Sequence, residues 1–132
     1  MSTLKVDNVT NTAGNTTVNS IEIEDSGWIF VGDTGAPAFE NSWVDYDGST
    51  FGLPRFRKIN NIVYIEGLVK NGTMTSSAFT LPAGYRPYNR LIIASQANNA
   101  LGRLDVFTDG SVAPWTGSNA YFSLTCSFVA HQ

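Results

Sequence analysis

The side chains that most often carry catalytic or metal chemistry are rare in this chain, which has one histidine and one cysteine among 132 residues. His131 is penultimate, and chain ends usually fray, so a catalytic triad or a histidine metal site has no firm position there. Cys126 has no second cysteine for an intrachain disulfide. It lies in an alternating run, residues 122–128, which indicates a small core side chain rather than a nucleophile. We therefore expect no enzyme, no metal and no cofactor.

Carboxylates could still hydrolyse a glycan or bind calcium. Glycan hydrolysis needs two positioned carboxylates, one of them protonated, whereas the 11 acidic residues here are scattered. Asp45, Asp47 and Gly48 match the start of a calcium loop, but the acidic residue required at its far end is missing. We interpret the two aspartates as turn residues, whose side chains bond the nearby backbone.

Aromatic side chains beside turns are the remaining candidates for binding. Such rings stack on the apolar faces of sugars while their polar edges form hydrogen bonds. The alternative is that they cap the ends of the fold or fill a subunit interface. Trp115 follows Pro114 and precedes Thr-Gly-Ser-Asn, a context typical of a presented loop. The candidate receptor contacts are Trp43, Tyr46, Tyr88 and Trp115.

The composition fits a single globular domain with a neutral polar surface. Charged residues make up 14% of the chain, below the usual quarter, and the net charge is -3. Nucleic-acid binding needs clustered lysine and arginine, and no basic run occurs. No signal peptide is visible, and no apolar run approaches the roughly 20 residues that span a bilayer. We expect neither a nucleic-acid partner nor membrane insertion.

From Trp28 onward, short β-prone runs alternate with turns. Asn60-Asn61 separates two such runs and predicts a tight hairpin, because asparagine tolerates positive φ. Asn71-Gly72 and Asp109-Gly110 predict further turns. Strands are expected at residues 56–59, 62–67, 77–81, 91–97, 101–107, 111–113 and 121–129. No window shows a sustained helical period, so the pattern predicts an all-β fold, an antiparallel β-sandwich or jelly-roll-like head.

Residues 1–25 form a separate segment rich in Asn, Thr and Ser. Alternating aliphatic residues near both of its ends predict two short strands around a turn at residues 13–15. The segment buries too little apolar surface to order alone, so we expect an extended arm that docks on a partner. The head would then occupy residues 26–132. The candidate docking residues are Leu4, Val6, Val9, Ile21 and Ile23.

Residues 80–87, Thr-Leu-Pro-Ala-Gly-Tyr-Arg-Pro, resemble the LP-x-GYRP signature of phage tail-fibre and receptor-binding heads. The resemblance spans roughly residues 43–129, because a hairpin, this signature, a strand–Asp-Gly–strand element and a final aromatic strand follow in the same order. Residues 2–9 separately resemble the leader of virion attachment proteins from phages of aquatic bacteria. The resemblance implies a virion structural protein that assembles as a homotrimer.

The signature also predicts a rigid corner between sheets. Pro82 and Pro87 fix φ at its two ends, and Gly84 permits a backbone conformation closed to other residues. Tyr85 can then pack inward, while Arg86 remains available for a carboxylate or carbonyl. We interpret the segment as a structural corner rather than a receptor site. Its residues are Leu81, Pro82, Gly84, Tyr85, Arg86 and Pro87.

Three functions stay open at the level of sequence. The first is a short trimeric tail fibre, whose arm docks on a baseplate or tail protein and whose loops contact a host surface glycan or protein. The second is a capsid decoration protein, whose arm contacts the major capsid protein; the lack of a long fibre shaft is compatible with it. The third is a small glycan hydrolase, which the scattered carboxylates disfavour. Both leading hypotheses place the protein in the virion after synthesis in the host cytoplasm.

Overall fold

The computed structural model describes the backbone of residues 2–10 and 16–131 and the side chains of residues 23–131. No helix occurs in this described part of the chain, and all paired strands are antiparallel. The prediction of an all-β, sandwich-like fold is confirmed. In chain order the strands are β1 (Ser2–Thr10), β2 (Thr16–Asp25), β3 (Ile29–Phe30), β4 (Val44–Asp45), β5 (Arg55–Ile59), β6 (Ile62–Glu66), β7 (Leu68–Lys70), β8 (Phe79–Thr80), β9 (Leu91–Ala97), β10 (Ala100–Val106), β11 (Ser111–Thr116), β12 (Phe122–Ser123) and β13 (Cys126–Val129).

The first sheet has the order β1-β2-β5-β6-β13, with β3 also paired to β5. Its centre is the predicted hairpin of β5 and β6, in which Asn60 has a φ of 50°. The two strands predicted near the N-terminus are β1 and β2. They pair along their length, but β2 joins the rest of the sheet only where Asp25 pairs with Ile59. The expected turn at residues 13–15 lies outside the described residues.

The second sheet has the order β4-β7-β12-β9-β10-β11-β8. Its central hairpin joins β9 to β10 through Asn98 and Asn99, whose φ values are 49° and 63°. A two-residue turn with positive φ at both positions matches the right-handed twist of paired strands, which is why asparagine is favoured there. The sequence analysis had placed both strands but had not identified this turn.

The core lies between the two sheets and combines aromatic with aliphatic side chains. Phe56 of β5 stacks on Phe79 of β8 with ring centroids 5.7 Å apart. Both rings are fully buried, so this contact joins the first sheet directly to the second. The other large buried side chains include Trp43, Ile65, Leu81, Leu104, Phe122 and Leu124.

The segment with the LP-x-GYRP signature forms a tight corner, but it connects β8 to β9 within the second sheet, so the prediction that it crosses between sheets is wrong. The Tyr85 amide donates to the Pro82 carbonyl at 3.1 Å, and the Tyr85 ring meets the buried Phe56 ring edge-on at 5.4 Å. Arg86 Nε donates to the Leu81 carbonyl at 2.9 Å. Both expectations for these two side chains are therefore confirmed. Pro87 is buried at the end of the corner.

The turn at Asp109-Gly110 packs against this corner. The Leu81 amide donates to the Gly110 carbonyl at 2.8 Å. Gly110 has a φ of 93°, and a Cβ there would overlap the Leu81 carbonyl and crowd Arg86 Nε. Glycine is therefore required both by the backbone conformation and by the close approach. The two elements noted separately in the sequence form one packed unit.

The expected single strand at residues 121–129 is wrong. The chain leaves the second sheet after β12 and enters the first sheet at β13, so the alternating run crosses from one sheet to the other. Its inward residues still face one core, because Phe122 and Leu124 are fully buried and Cys126 and Phe128 pack against the same cluster. The interpretation of Cys126 as a small core residue is confirmed. Burial raises the pKa of its thiol to about 12.

Trp43 packs directly on Gly72, and this contact yields a stability prediction. A Cβ on residue 72 would overlap the indole ring, which is 1% exposed and has no room to move. We expect Gly72→Ala to lower the free energy of unfolding by about 1–3 kcal/mol, the usual cost of overpacking a core. Gly52→Ala is the matched control, because its added Cβ would meet only an ordinary contact at 3.9 Å. Urea denaturation measures both; equal midpoints for the two variants would contradict the predicted clash.

Candidate functional site

Trp115 lies in β11 rather than in a loop, so the expectation of a loop position is wrong. The register with β10 steps from Pro114 to Thr116, and Trp115 has no partner there. Proline gives no amide hydrogen to a ladder and is tolerated within sheets next to such bulges. A bulge re-aims a side chain, and the half-buried Trp115 lines a surface cleft.

The Trp115 ring forms an aromatic wall with Phe107. The two ring centroids are 5.7 Å apart and the rings are tilted by 52°. The Arg90 guanidinium carbon lies 4.1 Å from the Phe107 centroid and 4.6 Å from the Trp115 centroid. A guanidinium over an aromatic face is attracted by the ring quadrupole, so Arg90 helps to hold both rings in place.

Asp105 of β10 holds Arg90 in turn, and its side chain is completely buried. Arg90 Nε donates to Asp105 Oδ2 at 2.8 Å. Arg103 donates from Nε to Oδ1 at 2.7 Å and from Nη2 to Oδ2 at 2.9 Å. Burial acts to raise the pKa of Asp105, but the hydrogen bonds from Arg103 and Arg90 outweigh it and keep the pKa below its ordinary value. Asp105 is therefore ionised at neutral pH.

The cleft beside Trp115 is open to solvent and has a volume of about 170 Å³. One side is the aromatic wall, and hydroxyl groups and a carboxylate surround the rest. Such a combination suits a sugar ring, whose apolar face can stack while its hydroxyls form hydrogen bonds. The lining residues are Thr75, Ser77, Phe107, Asp109, Ser111, Ala113 and Trp115.

Thr75 at the edge of this cleft has a strained backbone. Its φ is 65°, a left-handed value that β-branched residues rarely adopt. Its amide donates to the Pro114 carbonyl at 2.9 Å, which ties the strained residue to β11 next to the bulge. Strained residues persist only where the surrounding structure holds them, and they concentrate at binding and active sites. This strain supports the cleft as the functional site.

Asp109 is the one ionisable side chain among the described residues that line the cleft. Its Oδ1 accepts a hydrogen bond from the Ser111 amide at 2.9 Å, and that bond is the main reason why the pKa of Asp109 lies below its ordinary value. An ionised carboxylate accepts hydrogen bonds but has no proton to donate. The arrangement suits binding of hydroxyl groups and lacks the second, protonated carboxylate that glycoside hydrolysis uses.

The structure does not bring the four predicted receptor contacts together. Trp43 is only 1% exposed, so its proposed contact with a receptor is wrong: it is a core residue. Tyr46 is half-buried in an aromatic cluster with Phe51 and Tyr121, at centroid distances of 5.6 Å and 5.5 Å. Tyr88 is 65% exposed, and its ring packs on His131. Of the four residues, only Trp115 belongs to the cleft.

The C-terminus is better anchored than its sequence position indicates. The His131 amide donates to the Arg86 carbonyl at 2.8 Å, and its ring packs on Tyr88 with centroids 4.6 Å apart. The expected fraying is therefore wrong as far as residue 131. His131 caps the corner and makes no contact with the cleft.

Asp47 is a turn residue, as expected, whereas the prediction of a turn position for Asp45 is wrong. Asp47 Oδ1 accepts hydrogen bonds from the Ser49 hydroxyl at 2.7 Å and from the Ser49 amide at 3.0 Å. These two bonds lower the pKa of Asp47. Asp45 belongs to β4 and pairs with Val69. Across the described residues there is no group of three or more His, Cys, Asp or Glu that could hold a metal ion.

The charged residues that support the aromatic wall were not predicted from the sequence. Arg103 and Asp105 are two positions apart on one strand, and this spacing places them on the same face of a sheet. That much could have been inferred. The contribution of Arg90 could not, because it reaches Asp105 from just before the neighbouring strand β9.

Comparisons with known proteins identify no relative. No protein-family model matches the chain, and no curated protein or solved structure is significantly similar to it. A search of the described residues for a helix long and apolar enough to cross a membrane found none.

The lowered carboxyl pKa values predict loss of stability in acid. The side-chain hydrogen bond from Arg57 is the largest cause that lowers the pKa of Asp25 from 3.8 to about 2, and the pKa of Asp105 is lowered too. A carboxylate whose pKa is lower in the folded state stabilises the fold above its unfolded-state pKa, and this stabilisation is lost as pH falls through the folded-state value. We expect the free energy of unfolding, measured with urea, to decrease between about pH 4 and pH 2. Asp25→Asn should make this decrease shallower; an identical pH profile in the variant would contradict the assignment.

Proposed function

We propose that this protein is the receptor-binding head of a phage virion, a short trimeric tail fibre that attaches the particle to a glycan on the host surface. The observation that carries the proposal is the cleft at Trp115, in which an aromatic wall faces hydroxyl groups and one ionised carboxylate. Aromatic stacking combined with hydrogen-bond acceptors is the usual chemistry of sugar recognition.

The segment that resembles phage fibre heads also positions the cleft. Leu81, in the corner, bonds the Gly110 carbonyl, and Gly110 directly follows the cleft residue Asp109. The corner makes no receptor contact in this proposal. It fixes the turn that carries the carboxylate, so that a rigid structural motif supports a separate binding surface.

The N-terminal hairpin of β1 and β2 is the proposed virion attachment arm. Its described strand pairing with the rest of the first sheet is the pair of Asp25 and Ile59, and we propose that the remainder of its length engages another protein. A two-stranded hairpin is marginally stable in water unless a further surface covers it. A baseplate or tail protein would supply that surface. Ile23 is 39% exposed, whereas the side chains of Leu4, Val6, Val9 and Ile21 lie outside the described residues.

The outer face of the first sheet is the proposed contact between the three copies. Cross-strand pairing places Ile59, Ile62 and Val129 in one row on this face, and Ile23 lies on the same face of β2. Val129 is 56% exposed. Apolar residues on a solvent-facing sheet surface favour self-association when their rim is polar.

The first functional prediction concerns Trp115. We expect Trp115→Ala to weaken binding to a panel of purified bacterial surface polysaccharides by at least about fivefold, because one stacked ring contributes about 1–3 kcal/mol by analogy with aromatic stacking on planar ligands. Trp28→Ala is the matched control: Trp28 also stacks on an arginine, with the Arg55 guanidinium carbon 4.1 Å away, but on the other sheet. Glycan-array fluorescence and calorimetry measure the affinity.

Two outcomes would count against the proposal. Equal losses of affinity in the Trp115→Ala and Trp28→Ala variants would show that the glycan does not bind at the cleft. A wild-type protein that ignores every polysaccharide but binds empty capsids and raises their melting temperature would instead favour the capsid decoration alternative.

The second functional prediction concerns assembly. We expect the wild type to sediment as a trimer in analytical ultracentrifugation and Val129→Glu to sediment as a monomer, because the variant would bury a charge in an apolar contact. Leu101→Glu is the control, since Leu101 is 78% exposed on the other sheet. A monomeric wild type would contradict the proposed assembly, and a trimeric Val129→Glu variant would contradict the proposed interface.

A further inference from the structure

Asp105 is bonded by two arginines, Arg90 and Arg103. In the other described ion pairs, Arg55 bonds Glu66 and Arg57 bonds Asp25. Arg90 and Arg103 both pair with Asp105, at 2.7 Å each. The cluster therefore carries one positive charge in excess, within a chain whose net charge is -3.

The excess charge faces solvent. The side chain of Asp105 is completely buried, whereas those of Arg90 and Arg103 are 41% and 38% exposed. Each arginine reaches the buried carboxylate through Nε and Nη2. Within the described part of the chain, the Nη1 group of each arginine has no hydrogen-bond partner. Both guanidinium groups thus keep outward donors while a buried carboxylate fixes their positions.

Arg90 contacts the wall of the cleft, and Arg103 is tied to Arg90 through their shared partner Asp105. Arg90 stacks on Phe107 and Trp115, and the same two rings form the aromatic wall of the cleft. A ligand stacked on that wall would have Asp109 on the cleft side and the Arg90 guanidinium against the same rings, with Arg103 bonded to the same carboxylate as Arg90. One chain of sugars could therefore present a neutral ring to the cleft and an anionic group to the arginine pair.

We propose that Arg90 and Arg103 bind the carboxylate of an acidic sugar, so that the cleft selects glycans containing uronic acid over neutral ones. This inference rests on the proposed glycan-binding function and adds the class of glycan. Guanidinium groups match carboxylate geometry and form charge-assisted hydrogen bonds, which are stronger than neutral ones. Because Asp105 holds both arginines before the ligand arrives, little side-chain entropy is lost on binding.

Charge on the rest of the chain favours a single carboxylate over a polyanion. A nucleic acid requires many basic residues along a surface, and the chain has eight Lys and Arg in total. Four of these are the arginines in the described ion pairs. One excess positive charge fits one isolated carboxylate in a glycan repeat.

The test compares a glycan with its carboxyl-reduced form. The probes are hyaluronan oligosaccharides, which contain glucuronate, and the same oligosaccharides after chemical reduction of each carboxylate to an alcohol. We expect calorimetry with the full-length protein to show at least about tenfold tighter binding of the uronate form, the usual value of a hydrogen bond to a charged group. This preference should shrink as salt is raised, because partly exposed charges are screened.

Arg103→Gln is the decisive variant, because Arg90 and the aromatic wall remain in place. We expect it to bind both forms equally, with the affinity of the wild type for the reduced form. Arg103→Lys keeps the charge without the planar fork and should fall between the two. Arg55→Gln removes a paired arginine on the other sheet and should retain the full preference. Thermal melting of each variant shows that it is folded.

The outcomes separate this inference from the proposed function. Equal wild-type affinity for both forms overturns the acidic-sugar inference and leaves glycan binding intact. No binding of either form, together with no binding to the polysaccharide panel, overturns both. Sodium sulfate or free glucuronate that competes at the same concentration as the oligosaccharide would show a general anion site and would overturn the assignment to a glycan.

Discussion

The contact between Phe56 and Phe79 is the constraint on which the binding surface depends. It joins the middle of the first sheet to an edge strand of the second, and both rings are fully buried. Tyr85 meets Phe56 edge-on and so locks the corner to the same cluster. The corner then fixes Gly110 through the Leu81 amide. A closely packed core transmits displacements of its side chains rather than absorbing them. The shape of the cleft therefore depends on the aromatic packing on its far side.

Local signals in the sequence were sufficient for the fold class and for several turns. Asn60 was predicted to be a hairpin residue. Asn98-Asn99 is also a pair of asparagines, and both have positive φ, but the hairpin turn there was not predicted. The break between β12 and β13 was not predictable in the same way. Alternation along residues 122–128 shows which side chains face the core. Strands of both sheets point their inward side chains into this one core, so the alternation cannot show which sheet a strand joins.

For the site, sequence reasoning identified Trp115 but not the reason for its position. Pro114 has no amide hydrogen to donate to the neighbouring strand, and the pairing of β10 with β11 skips Trp115. This arrangement depends on which strand lies opposite β11. Trp43 had an equally loop-like context and is buried, because Gly72 leaves room for its ring. For both tryptophans, contacts between residues far apart in the sequence determine whether the ring is buried or lines the cleft. The bond from Arg90 to Asp105 was not predictable for the same reason, since the two residues are 15 positions apart.

The chain has few charged residues, and one of them, Asp105, is an acid buried in the protein. Exposed pairs such as Arg55 with Glu66 add at most about 1 kcal/mol of stability each. A buried carboxylate must be desolvated, and an apolar residue of similar size would often stabilise the fold equally well. Stability therefore does not explain Asp105. Its clearest effect is geometric: it holds two guanidinium groups on one carboxylate, one of them stacked on the aromatic wall, and an apolar residue at that position would leave both free to move apart.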